Sequence, residues 1–78
     1  MNVKEVVFKN IEKLSHKTPS LEDKLRDDLG LDSLNCMELF LNIEVDLGIA
    51  FPQEKLNASL GEMTVGETIE CVEKICKA

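Results

Sequence analysis

The stretch Ser33-Leu34-Asn35-Cys36-Met37-Glu38-Leu39-Phe40-Leu41-Asn42-Ile43-Glu44-Val45-Asp46-Leu47-Gly48 decides the fold. With an advance of about 100° per residue, Cys36, Leu39, Phe40, Ile43 and Leu47 gather on one side of a helix. Leu34, Met37, Leu41 and Val45 gather on nearly the opposite side. Asn35, Glu38, Asn42 and Asp46 fill one band between them, and Glu44 lies on the other flank. The spacing predicts a helix over 33–47, ended by Gly48 at the position where a left-handed backbone closes the last turn. A helix of a small domain needs one apolar stripe for its core. A second stripe asks for a second surface to cover it: a partner protein, a bound apolar chain, or another part of the same domain.

Working outward, Val3, Val7, Ile11 and Leu14 recur at helical spacing and predict a helix over roughly residues 2–15. Ser15-His16-Lys17-Thr18-Pro19 stops it, because proline pushes the preceding residue out of helical geometry. His16, the chain's one histidine, reads as a solvated residue at that helix end. Residues 20–31 show no sustained period and read as a long ordered loop, pinned by Leu21, Leu25, Leu29 and Leu31, with Ser20 and Asp23 as a capping pair for a single helical turn. Ile49-Ala50-Phe51-Pro52 is too short and proline-bounded for a sheet strand. A short third helix is expected near Glu54 to Leu60. Thr64-Val65-Gly66-Glu67 is a capping box opening a final helix with Val65, Ile69, Val72 and Cys76 on one face. The expected fold is all-α: a small four-helix bundle, three helices longer and one short, with a long loop between the first two. Residues 1–78 make one domain.

A chain of 78 residues buries only about 60% of its unfolded surface, so a second domain or a deep enclosed active site has no room. With 44% hydrophobic residues, only 4% aromatic and no tryptophan or tyrosine, the core is thin and aliphatic. Fifteen acids against nine bases leave a net charge of -6, which repels phosphate backbones and favours proteins with basic docking patches. Nucleic acid is not an expected partner. The same crowding of acids predicts a stability that improves with salt or magnesium. No run approaches about 18 apolar residues and no leader is evident, so no membrane span and a cytoplasmic location are expected. Cys36, Cys71 and Cys76 are an odd number without a C-x-x-C pair and fall at apolar helical positions, which predicts reduced core thiols, with Cys36 the one that helix spacing leaves room to expose.

Several motifs fail on inspection. Gly61-Glu62-Met63-Thr64-Val65-Gly66-Glu67-Thr68 has P-loop spacing, but Glu67 stands where a lysine must meet phosphate. A calcium loop starting at Asp27 would put Leu29 and Leu31 at ligand positions, so no metal site is assigned; Asp27, Asp28 and Asp32 allow no more than loose surface binding of cations. His16 and Ser33 are present, but no strained elbow or oxyanion site accompanies them, so no catalytic residue is assigned.

Ser33 remains. Either Asp32 or Ser33 can cap the central helix, which is the plain structural role of such a pair. The surroundings carry more. Asp28-Leu29-Gly30-Leu31-Asp32-Ser33-Leu34, then Met37-Glu38-Leu39, Ile43-Glu44, Leu47-Gly48-Ile49, Phe51-Pro52 and Thr64-Val65-Gly66-Glu67, in order along nearly the whole chain, resemble the acyl carrier proteins of fatty acid and polyketide synthesis.

The resemblance implies a 4'-phosphopantetheine arm on Ser33, added from coenzyme A by a phosphopantetheinyl transferase, with Asp32 at that enzyme's basic, metal-bearing site. Acyl groups would ride on the arm as thioesters while acyl-transferring and chain-elongating synthase enzymes do the chemistry, so the protein itself is not an enzyme and acts as a monomer. By the same resemblance Leu34, Met37 and Leu41 meet partners, and Glu38 and Glu44 pair with their lysines and arginines. Leu39, Phe40, Ile43, Phe51, Val65 and Ile69 are candidates to line the space for an acyl chain, the alternative being a filled core. The chain departs from the common pattern at Asn35, at Val45 and at Lys55-Leu56-Asn57, and its stretch between Pro52 and Thr64 is longer. Its docking face is thereby greasier, which points to a specialised pathway with Val45 and Leu41 at the contact. An unmodified helical interaction module derived from a carrier is the alternative function.

Overall fold

The computed structural model describes residues 2–52 and 58–77. Helix α1 spans Val3–Ser15, α2 spans Ser33–Leu47 and α3 spans Val65–Lys77, with a 3-10 segment at Ala58–Glu62. The described residues are all-helical and contain no strand; one isolated antiparallel bridge joins Lys24 to Thr64. The short third helix expected over Glu54 to Leu60 falls largely on residues 53–57, outside the described residues, as does the Lys55-Leu56-Asn57 departure. What is described there is the 3-10 segment, so the described residues hold three α-helices and that segment.

Each helix starts and stops for a local reason. The Asn2 side chain accepts from the Lys4 amide at the head of α1, and His16 ends the helix in the left-handed region at φ 60°, a conformation that histidine tolerates better than most residues. Asp32 caps α2, its Oδ1 accepting from the Asn35 amide at 2.8 Å. Gly48 closes α2 at φ 65°. At α3 the capping box is complete: the Glu67 amide donates to Thr64 Oγ1 at 3.1 Å, and the Thr64 amide donates to Glu67 Oε1 at 3.0 Å.

One aliphatic cluster holds these elements together. Val7 and Ile11 of α1, Cys36, Leu39, Phe40 and Ile43 of α2, and Val65, Ile69 and Val72 of α3 are all buried in it. Phe40 and Phe51 meet edge to face, centroids 4.9 Å apart, a geometry aromatic quadrupoles favour. The polar tie between α1 and α2 is Asn10, 2% exposed, whose Nδ2 donates to Val6 O and to Asp46 Oδ2, both at 3.0 Å.

Two expectations need correction. Leu25, Leu29 and Leu31 do pin the long loop to the core, but Leu21 is 47% exposed: its backbone carbonyl accepts from the Gly66 amide, and its side chain stays outside. The cysteines also divide differently from expectation. All three are free, but Cys36 is buried, Cys71 half-buried and Cys76 exposed; in the last turn of α3 it is Ile75 that packs against the core. Among the described residues no helix is long and apolar enough to cross a membrane.

Candidate functional site

The loop before α2 is a folded platform. Ser20 and Asp23 form a closed turn, the Ser20 amide donating to Asp23 Oδ2 and the Asp23 amide to Ser20 O. A second, helix-like turn follows, in which the Asp28 and Leu29 amides both donate to Lys24 O and the Gly30 amide to Arg26 O. The Asp28 carboxylate caps that turn by accepting from the Lys24 amide at 2.7 Å. Gly30 then takes φ 72° with open space around its Cα. Glycine is needed there for backbone conformation alone. The bend returns Leu31 to the core, its amide donating to Leu25 O at 2.9 Å, and brings Asp32 and Ser33 out at the head of α2.

The two residues then divide their roles. Asp32 takes the cap, which leaves Ser33 as the first helical residue with an exposed side chain free of any capping duty. Among the described residues its hydroxyl has one protein partner: Arg26 Nη2 donates to Ser33 Oγ at 3.4 Å, at the long end of hydrogen-bond range. Behind it, Cys36 Sγ lies 3.7 Å from Leu31 O. Burial pushes the Cys36 thiol pKa up, with Arg26 opposing and Asp32 adding to the shift. The Cys36 thiol is thus a packed group beneath the site.

The second apolar stripe lies open. Leu34 is 79% and Val45 80% exposed, with Leu41 at 50% and Met37 at 37%, so no described part of the domain covers it. Glu38 is exposed beside it. Glu44 is placed differently: it is half-buried, and its Oε2 accepts from the Phe51 amide at 2.6 Å. That carboxylate secures the chain after α2 and so fixes the ring of Phe51 against Phe40. Leu39, Phe40, Ile43, Phe51, Val65 and Ile69 all fall together in the buried cluster, on the side of α2 away from the open stripe.

Sequence reading missed Arg26 and Gly61. Arg26 is the chain's only arginine, set among Glu22, Asp23, Asp27 and Asp28, and that contrast was the available signal. Gly61 lay inside the rejected P-loop match, and nothing in the sequence places it against Arg26. In the structure the Arg26 amide donates to Gly61 O at 3.0 Å. A Cβ at Gly61 would stand 3.0 Å from Arg26 Nε and 3.1 Å from Arg26 Cβ.

Residues 5–72 match the family model described as "Phosphopantetheine attachment site". The chain is 47% identical to an acyl carrier protein of Treponema denticola over 38 residues, 49% of each chain. It is 38% identical to an acyl carrier protein of Sinorhizobium fredii over 48 residues, 62% of this chain and 58% of that one. The chain thus matches about half the length of the first of these curated relatives. No solved structure matches significantly. With the family model matching most of the chain, and with a folded loop presenting an exposed serine hydroxyl at a helix head, the chain belongs to the acyl carrier protein family, whose cofactor is 4'-phosphopantetheine.

Proposed function

We propose that this protein carries acyl groups as thioesters on a 4'-phosphopantetheine arm attached to Ser33 and delivers them to partner enzymes of fatty acid synthesis or a specialised acyl or polyketide pathway. The observation that carries the reading is the state of Ser33: exposed, at the head of a 15-residue helix, and relieved of capping by Asp32. The residues fit the group. The hydroxyl is open to an approaching enzyme, the first turn of α2 holds no acidic residue, and a helix start favours a negative charge. Loading joins Ser33 Oγ to the phosphorus of the pantetheine-bearing phosphate of coenzyme A. The pyrophosphate bond breaks, adenosine 3',5'-bisphosphate leaves, and the transferase takes the hydroxyl proton. Once bound, the group supplies a terminal thiol for acyl attachment.

This chain's own residues then present the cargo. Leu34, Met37, Leu41 and Val45 form the apolar centre of a docking face and Glu38 its charged rim, which sets association rate and salt dependence more than affinity. Leu41 and Val45 give the face its preference for a specialised cognate enzyme. Leu39, Phe40, Ile43, Phe51, Val65 and Ile69 are the positions a sheltered acyl chain would part. Residues 1–78 act as one monomeric carrier domain in the cytoplasm, and tethering raises the effective concentration of cargo at each docked enzyme.

The test is intact mass after incubation with coenzyme A, magnesium and a broad-specificity phosphopantetheinyl transferase, beside Ser33→Ala. A gain of one phosphopantetheine in wild type alone is expected. No gain in protein shown to be folded would leave an unmodified interaction module as the function.

A further inference from the structure

We propose that Arg26 is the phosphate-binding residue of this carrier: its guanidinium, laid across Gly61, receives the phosphodiester formed on Ser33 and fixes the base of the arm over the head of α2. The inference rests on Ser33 being the attachment site and adds the residue that holds the phosphate.

Three observations carry it. The first is reach. Arg26 Nη2 already addresses Ser33 Oγ, the atom that becomes the ester oxygen, so the free phosphate oxygens are set around the point at which the guanidinium aims. The second is how the side chain is held. Its backbone is tied at both ends, the amide to Gly61 O and the carbonyl to the Gly30 amide. Its Cβ, Nε and Cζ lie 3.0–3.3 Å from where a Gly61 side chain would begin. A Cβ at position 61 would force the arginine to give way by a few tenths of an ångström, so glycine there acts as its bed.

The third observation is charge. Asp27, Asp28 and Asp32 precede the serine in sequence, and a phosphodiester adds another negative charge beside them. Asp28 spends its carboxylate on the Lys24 amide and Asp32 on the Asn35 amide; neither can turn a proton donor toward phosphate. Arg26 can. Its planar fork presents paired donors matched to phosphate oxygens, which a lysine's point charge does not. In the absence of the arm its bond to Oγ is long, and a charged acceptor at the same place shortens and strengthens it.

Because the chain has a single arginine, one Nε–Hε cross-peak in a proton–nitrogen correlation spectrum reports on it. Wild type, Arg26→Gln, Gly61→Ala and Ser33→Ala are incubated with coenzyme A, magnesium and transferase, and loading is read by intact mass. In loaded wild type the Nε–Hε peak is expected to move and its exchange with water to slow about fivefold, the factor set by a hydrogen bond of ordinary net strength. Ser33→Ala treated identically shows no change. The phosphorus resonance of loaded wild type differs from that of loaded Arg26→Gln. Gly61→Ala, folded by circular dichroism, loses most of the Nε–Hε shift because its arginine is displaced. An unmoved Nε–Hε peak in wild type shown by mass to carry one arm overturns the role of Arg26 and leaves Ser33 attachment standing. Absence of any mass gain in folded wild type overturns both.

Discussion

Replacing Glu44 by alanine separates a structural carboxylate from a docking one. In the structure its Oε2 accepts the Phe51 amide at 2.6 Å, in a half-buried setting where water only partly replaces the lost partner. A hydrogen bond to a charged group is worth roughly 1.5–3 kcal/mol. Against it stands the carboxylate's position in the last turn of α2, where the helix dipole disfavours a negative charge by about 0.3–1 kcal/mol. The hydrogen bond wins, and Glu44→Ala is expected to cost about 1–2 kcal/mol. For a domain of this size roughly 4–8 °C accompanies each kcal/mol, so Tm should fall by about 4–16 °C. Glu44→Gln keeps an acceptor and should lose less than half as much. The assay is thermal unfolding followed by circular dichroism at fixed pH and salt. If both variants melt within about 2 °C of wild type, a margin below the per-kcal scale, the Phe51 contact is not holding the chain and Glu44 is left to partners alone.

Other residues give sharper or opposite outcomes. Thr64→Ala removes the side-chain half of the α3 capping box and should cost about 1 kcal/mol, read as a lower denaturation midpoint in urea with an unchanged slope. Val45→Glu, at a position 80% exposed, should leave stability within about 0.5 kcal/mol while slowing transfer to the cognate ketosynthase or ligase; unchanged rates with every cognate enzyme would remove Val45 from the docking face. The raised Cys36 pKa, caused first by burial, means that the folded state holds the thiol proton more tightly than the unfolded chain does. Its contribution to stability is therefore intact below the ordinary thiol pKa and lost as pH rises through the raised one. Cys36→Ala should flatten the alkaline limb of the stability curve, and an unaltered limb would exclude that source. In native wild type a thiol reagent should modify Cys76 well before Cys36.

The parts of the fold that follow from near neighbours were readable without coordinates. Helix α2 and its Gly48 stop, the α3 capping box and the two faces of α2 all rest on spacings of three or four residues. Asp32 against Ser33 as cap was an open choice, because both residue types accept the same amide; the path of the loop through Gly30 decides it for Asp32. What periodicity could not supply was long-range pairing. The exposure of Leu21 follows from backbone bonds to the start of α3, and the turn of Glu44 toward Phe51 depends on where the chain goes after Gly48. Arg26 entered the site for the same reason: its course is set by Gly61, far along the chain.

The stitching of the platform to the start of α3 also bears on when the site comes into being. The Leu25 amide donates to Met63 O, Arg26 to Gly61 O, Val65 to Asp23 O and Gly66 to Leu21 O, each bond spanning the whole of α2. Such pairings form late, since their closure entropy must be met before they add anything. On the ribosome, α1 and α2 can emerge and meet while the serine platform still lacks its other edge. Only when the chain has been made through Gly66 can the loop set. The order of synthesis thus withholds the finished platform around Ser33 until the start of α3 has been made.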